Sequence, residues 1–357
     1  MTQGTNHRVR VLLVEDSPTY RVLLSGLLGD DSRLEVIGVV GDGAQAVESA
    51  QRLSPDVIVM DIHLPAMGGF AATRLIMETA PTRIVMVTAT SIPNEVAQSF
   101  EALESGALTV LAKPPGPGHP EFEAMRRELV NTVALMAEVP VVRRWPAQKT
   151  PAAAPVPVAL HVGRIDLIAV GASTGGPLAL QALLTALPHK GMPPIVIVQH
   201  ISHGFADGLV QWLSRVASYD IKVAAHDDCL HHGMACIAPD GAHLEVKADG
   251  HVVLHQGPPV NGFRPAVATL FASVAREYGP RAAGLLLTGM GRDGAQELLA
   301  MRQAGALTMA QDKGSAVING MPGEAVRIGA AMHVLTPQDM AATLSRLART
   351  PSSGDRS

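Results

Sequence analysis

The 357-residue chain exceeds the ~250 residues at which single cores stop growing, so two domains and a connection are expected. A net charge of −4 offers none of the clustered basic surface that a nucleic-acid backbone demands. Apolar residues make up 47% of the chain but fall in short runs broken by Gly and Pro, and the polar start MTQGTNHRVR lacks the apolar stretch of a secretion signal, so no transmembrane segment and a cytoplasmic location are expected.

From Val9 to Lys113, short β-branched runs alternate with helical stretches: VRVLLV, a helix from Tyr20 to Leu28, LEVIGVV, a helix from Ala46 to Leu53, DVIVMD and RIVMVTA. That alternation predicts βαβ units and a doubly wound parallel sheet, whose ligands gather at the carboxyl ends of the strands. Aromatic residues are only 3% of the chain, so its cores are filled by Val, Ile, Leu, Met and Ala, as in buried parallel sheets. EFEAMRRELVNTVALMAEV carries Phe122, Met125, Leu129, Val133 and Met136 at helical spacing and closes the first unit. VVRRWPAQKTPAAAPVPVALHVGR has neither period and reads as a semi-rigid linker, with Arg143, Arg144 and Trp145 as a linker contact or solvated charge. Strand-like IDLIAV, PPIVIVQH and AAGLLLTG then resume, and GMACIAPDGAHLEVKADGHVVLHQG suggests a β-hairpin around Asp249-Gly250. The expected division is an α/β domain over 8–126, a Pro/Ala-rich linker over 139–163 and a second α/β parallel-sheet domain over 164–350.

In the first domain Glu15 and Asp16 follow VLLV, Asp61 follows VIVM, Thr88 ends a fourth run and Lys113 follows LTVLA. Parallel winding brings these to one edge, where gathered carboxylates repel unless a hard cation such as Mg²⁺ neutralises them. Asp61 is then a phosphoryl-acceptor candidate, since carboxylates serve as covalent nucleophiles. Any one of these acids alone reads more simply as a solvent-facing charge. The acid pair with DIHLPAMGG, VTA and AKP resembles the response-regulator receiver family, from the N-terminus to about residue 125. The resemblance implies a flavodoxin-like fold, Mg²⁺ on Glu15, Asp16 and Asp61, phosphorylation of Asp61 by a sensor histidine kinase in a two-component system, and phosphoryl sensing by Thr88 and Lys113. Gly68-Gly69 stands where receivers often carry Asp-Gly, and Val110 where they often carry an aromatic switch residue. Aromatic rotamer coupling is therefore not expected, and the charge of about −1.5 to −2 that phosphorylation adds acts through Thr88 and Lys113.

In the second domain LIAVGASTGGP places Ser173 between a strand and a helix beginning near Pro177. Gly171, Gly175 and Gly176 permit a sharp turn whose N–H groups could stabilise an oxyanion, although such a turn could equally cradle a phosphate. His200 ends IVIVQH and Asp293 follows LLLTGMGR, so nucleophile, base and orienter are expected to converge at one sheet edge. The order Ser, His, Asp differs from that of α/β-hydrolases, which points to convergent chemistry on another sheet.

GASTGGP, VQH, CIAPDGAHL, GFRPAVATLFASVA, LLLTGMGRDGA, GALTMAQD and INGMP are similar, in order, to the chemotaxis protein-glutamate methylesterases, the CheB family, from about Asp166 to Leu347. The resemblance implies catalytic Ser173, His200 and Asp293, with Thr174 and Met290 lining the site. It also implies hydrolysis of glutamate γ-methyl esters on methyl-accepting chemotaxis receptors, with glutaminase activity as a second reaction, giving sensory adaptation without a cofactor at the esterase site. ISHGF after His200 departs from the family's frequent Pro-Gly. The unmodified receiver is expected to cover the Ser173 cleft and phospho-Asp61 to loosen that cover. His226, Cys229, His231, His232 and Cys236 match no standard metal spacing and read as surface or packing residues. Rival readings are a second domain that only binds a partner, a transcription regulator, and an esterase for small metabolites.

Overall fold

The computed structural model describes residues 8–89, 93–139, 164–188 and 191–349. The expected linker, with Arg143, Arg144 and Trp145, lies outside the described residues save Val139. The chain divides into two units, each built on its own parallel sheet.

The first unit alternates β1 (Val9–Val14), α1 (Pro18–Gly29), β2 (Leu34–Val40), α2 (Gly43–Leu53), β3 (Val57–Asp61), α3 (Gly69–Thr79), β4 (Arg83–Thr88), α4 (Pro93–Glu104), β5 (Thr109–Ala112) and α5 (Phe122–Met136). The strands lie in the order β2-β1-β3-β4-β5, all parallel, as the doubly wound expectation requires. Val11 to Val14 and Val57 to Met60 are fully buried, the unbroken apolar run of strands covered on both faces. Helix starts carry local signals: the Ser17 hydroxyl accepts from Tyr20 N, Pro18 sits in the first turn, and Asp42 Oδ1 accepts from Gln45 N at 2.9 Å. The chain leaves β1 for β2 on one side and returns as β3 on the other, so a crevice opens at the carboxyl ends of β1 and β3. Glu15 and Asp61 occupy that point.

The second unit contains β6 (Leu167–Ala172), α6 (Gly176–Ala186), β7 (Ile195–Gln199), α7 (Ala206–Ser214), β8 (Asp220–Val223), β9 (Met234–Ile237), β10 (His243–Val246), β11 (Val252–His255), α8 (Val267–Glu277), β12 (Ala282–Leu286), α9 (Ala295–Gln303), β13 (Leu307–Gln311), α10 (Met321–Arg327), β14 (His333–Leu335) and α11 (Pro337–Arg349). Its seven-stranded parallel sheet runs β14-β13-β12-β6-β7-β9-β8. The order turns about β6, which opens a crevice at the carboxyl ends of β6, β7 and β12. β10 and β11 form the antiparallel hairpin expected around Asp249-Gly250.

Helix α8 seals one face of this sheet. Val267, Leu270, Phe271 and Val274 recur at i, i+3, i+4 and i+7 and are fully buried among Leu167, Ala169, Val196 and Val198. Each such burial contributes ~1.5–3 kcal/mol, so the start of α8 is firmly placed against the sheet edge that carries the site.

Candidate functional site

β6 delivers Ser173 one residue beyond its end, and β7 delivers His200 likewise. Ala172 pairs with Gln199 in register, and His200 N donates to Ala172 O at 2.9 Å. Ser173 and His200 are therefore neighbours across adjacent strands, ~4.8 Å apart in the hydrogen-bonding direction. On the other flank, Ser173 N donates to Thr288 O at 3.0 Å. Gly175, with φ 77°, makes the left-handed turn into α6 that an L side chain resists. Gly176 N is spent on Ser173 O, whereas Thr174 N and Gly175 N have no acceptor among the described residues. Those two N–H groups stand beside the serine at a helix N-terminus, where negative charge is stabilised.

The His200 Nε2 atom lies 3.0 Å from Asp293 Oδ2, with the two side chains 7% and 0% exposed. The separation is that of an ion pair, while the ring does not direct a well-angled hydrogen bond at the carboxylate. Nδ1 is buried with no hydrogen-bond partner and is the nitrogen left for the serine. Sequence reasoning put Asp293 at the end of a strand-like segment. It instead sits in the loop between β12 and α9, immediately before Gly294 at the α9 N-cap, and reaches the histidine because its carboxylate is turned toward α8. Oδ2 accepts from Val267 N at 2.7 Å, and Oδ1 from Asn261 Nδ2 at 2.9 Å and Ala268 N at 3.3 Å. Burial alone would raise the Asp293 pKa, but the His200 and Asn261 side chains and the Val267 amide outweigh it and hold the carboxyl below its usual range.

Several residues that sequence reasoning passed over complete the geometry. Gln199 Nε2 donates to Ser173 O at 2.8 Å and His200 O at 2.7 Å, tying the two turns together. The Thr288 hydroxyl donates to Thr174 O at 2.9 Å, and its amide donates to Gln311 Oε1 at 2.7 Å. Phe263 stacks on the His200 ring at 3.9 Å and 4°. A buried glutamine ending a strand was the one signal in the sequence, and Asn261 and Phe263 gave none. Thr174 is half-buried beside Ser173, and Met290 is 42% exposed near Asp293. Gly289 is needed for close approach, since a Cβ there would meet Ser173 Cβ at 2.7 Å and also strike Met321 Sδ.

In the first unit Lys113 Nζ lies 2.7 Å from both Glu15 Oε2 and Asp61 Oδ2, all three buried, and 4.7 Å from the Tyr20 ring centre. Lys113 N donates to Thr88 O at 2.7 Å, so these two residues share one sheet edge. Burial, with Asp61 beside it, raises the Glu15 pKa despite Lys113. Burial opposes the charge on Lys113, but the two carboxylates overcome it and raise its pKa. Oxygens of Glu15, Asp16 and Asp61 lie within 4.8 Å of one another, with Asp16 exposed. Hard oxygen donors from three carboxylates at this spacing, one of them exposed, fit a small divalent cation such as Mg²⁺. Val110 is buried in β5 and contributes no ring.

Of the cysteine and histidine group, Cys236 is buried in β9, Cys229 is exposed, His226 Nδ1 accepts from Leu254 N, and His232 Nδ1 lies 3.0 Å from Met192 O. No helix among the described residues is long and apolar enough to cross a membrane.

Fold and sites together define a two-domain α/β protein in which a receiver sheet precedes a sheet of serine-hydrolase type. The family model described as CheB methylesterase matches residues 168–344, and that described as response regulator receiver domain matches residues 11–119. A protein-glutamate methylesterase/protein-glutamine glutaminase of Geobacter metallireducens is 48% identical over 95% of this chain and 99% of its own length. Its counterpart in Syntrophus aciditrophicus is 46% identical over 95% and 98%. The crystal structure of the Thermotoga maritima CheB methylesterase catalytic domain, 32% identical, superposes with a TM-score of 0.50 over 52% of this chain and all of that one. The chain belongs to the CheB methylesterase family and carries that family's N-terminal receiver domain.

Proposed function

We propose that the second domain hydrolyses γ-methyl esters of glutamate side chains, and deamidates glutamine at equivalent positions, on methyl-accepting chemotaxis receptors in the cytoplasm. The observation that carries this is the buried His200–Asp293 pair at 3.0 Å, one strand from Ser173 and its two uncommitted backbone N–H groups. The Ser173 hydroxyl attacks the γ-carbonyl and passes its proton to His200 Nδ1. Charge developing on the carbonyl oxygen faces Thr174 N and Gly175 N, with Thr174 and Met290 lining the site. His200 then protonates the departing oxygen to release methanol, or the departing nitrogen to release ammonia. Water attacks the acyl-serine with the same nitrogen as base, freeing the glutamate carboxylate and restoring Ser173. Asp293 orients the ring and stabilises its imidazolium form.

The first domain regulates this activity. Asp61 is the phosphoryl acceptor, a sensor histidine kinase the donor, and Thr88 and Lys113 the groups that answer the added charge. Glu15, Asp16 and Asp61 would hold Mg²⁺, which when bound offsets negative charge around the phosphoryl oxygens. The deciding experiment is methanol release from methylated receptor membranes with and without a small phosphoryl donor. Wild type is expected to respond to the donor, Ser173→Ala to release none, and Asp61→Asn to keep only the basal rate. Release by Ser173→Ala equal to wild type would overturn the hydrolase reading.

A further inference from the structure

The His200–Asp293 pair is held from outside by two residues of one four-residue turn. Val260 and Phe263 exchange backbone hydrogen bonds at 3.0 and 2.9 Å, closing a reverse turn around Asn261 and Gly262. All four residues are exposed, where a plain surface turn would direct its side chains to water. Two of them do not. Asn261 spends its amide on Asp293 Oδ1 at 2.9 Å, and Phe263 lays its ring on the imidazole at 3.9 Å, nearly parallel at 4°. Asn261 also holds φ 55°, a left-handed conformation costly for most residues but tolerated by Asn. Non-glycine residues held in this region concentrate at functional sites.

We propose that Asn261 and Phe263 are positioning residues: Asn261 fixes the Asp293 carboxylate and Phe263 fixes the plane of His200, so that Nδ1 stays directed at the serine. This rests on the reading of Ser173, His200 and Asp293 given above. The stack restricts rotation of the ring and shields one face from water, which strengthens the contact between Nε2 and Oδ2. With Asn261 and Ala268 on Oδ1, the second oxygen is left to His200 and Val267.

The test measures kcat and KM for methanol release from methylated receptor membranes by the full-length protein across pH. Phe263→Leu is expected to lower kcat about tenfold with KM within about twofold, and Phe263→Tyr to restore it. Asn261→Gly keeps a backbone that accepts φ 55° and loses only the amide, so its kcat should also fall about tenfold. Asn261→Asp sets a second negative charge against Asp293, which faces His200 at 3.0 Å and lies near enough to Glu297 to raise its pKa. That charge favours imidazolium and moves the acid limb of the rate profile to higher pH. A role in folding alone would leave that limb in place and would not favour tyrosine over leucine. If Ser173→Ala is inactive while Phe263→Leu and Asn261→Gly match wild type, the positioning roles are refuted and the serine reading stands. If Ser173→Ala stays active, or wild type releases no methanol, both fall.

Discussion

Replacing Asp293 by alanine removes an acceptor that serves a helix as well as a histidine. Val267 and Ala268 are the first residues of α8, and the N-cap residue, Ala266, offers no side-chain acceptor. Asp293 supplies it from 26 residues away in sequence, taking Val267 N at 2.7 Å. Loss of a helix cap costs ~1–2 kcal/mol, and a buried N–H left without an acceptor costs ~1–3 kcal/mol. The two share the Val267 bond and do not add in full, so Asp293→Ala should destabilise the second domain by ~2–4 kcal/mol. With a urea slope of ~2 kcal/mol per molar, the unfolding midpoint falls by ~1–2 M. Trp212, 2% exposed in α7, reports this domain, and a Trp145→Phe background makes it the sole indole. Because the folded pKa of Asp293 is depressed, its stabilisation is present above the pKa of an unfolded aspartate and is lost as pH falls through the folded value. The gap between wild type and Asp293→Ala should accordingly narrow in acid. A midpoint within ~0.3 M of wild type at neutral pH would refute the cap, as would a gap unchanged in acid.

Gly289→Ala should lower methanol release at least about tenfold, because the added Cβ meets Ser173 Cβ at 2.7 Å and the serine turn must shift; circular dichroism should show the fold retained. Thr288→Val removes a hydroxyl that donates to Thr174 O and Ile318 O and accepts from Ile318 N, and should cost ~1–3 kcal/mol in urea unfolding. Burial pushes the Cys236 thiol up to about 12, so iodoacetamide at pH 8 should label Cys229 and spare Cys236 until the chain unfolds, as mass spectrometry would show. Lys113→Ala leaves two buried carboxylates without their shared cation and should abolish the rate increase given by a small phosphoryl donor while leaving the basal rate.

Much of this was legible in the residues alone. Continuous apolar runs gave β1 and β7 almost to the residue, because a strand covered on both faces needs no polar positions, and LEVIGVV gave β2, an edge strand in which only Leu34 is buried. Glu15, Asp61, Ser173 and His200 could be placed because each ends a strand or directly follows one, and parallel winding fixes which edge a strand's end faces. The hairpin at Asp249-Gly250 declared itself through turn chemistry. Asp293 was legible as a residue but not in its position, since a loop carries it beyond its strand. Tertiary structure alone decided that β12 crosses to the far side of β6, that Asp293 caps α8, and that Asn261 and Phe263 turn inward. Sequence periodicity reports which face of an element is buried, whereas these contacts join loops 26 to 63 residues apart, through side chains whose direction no local period encodes.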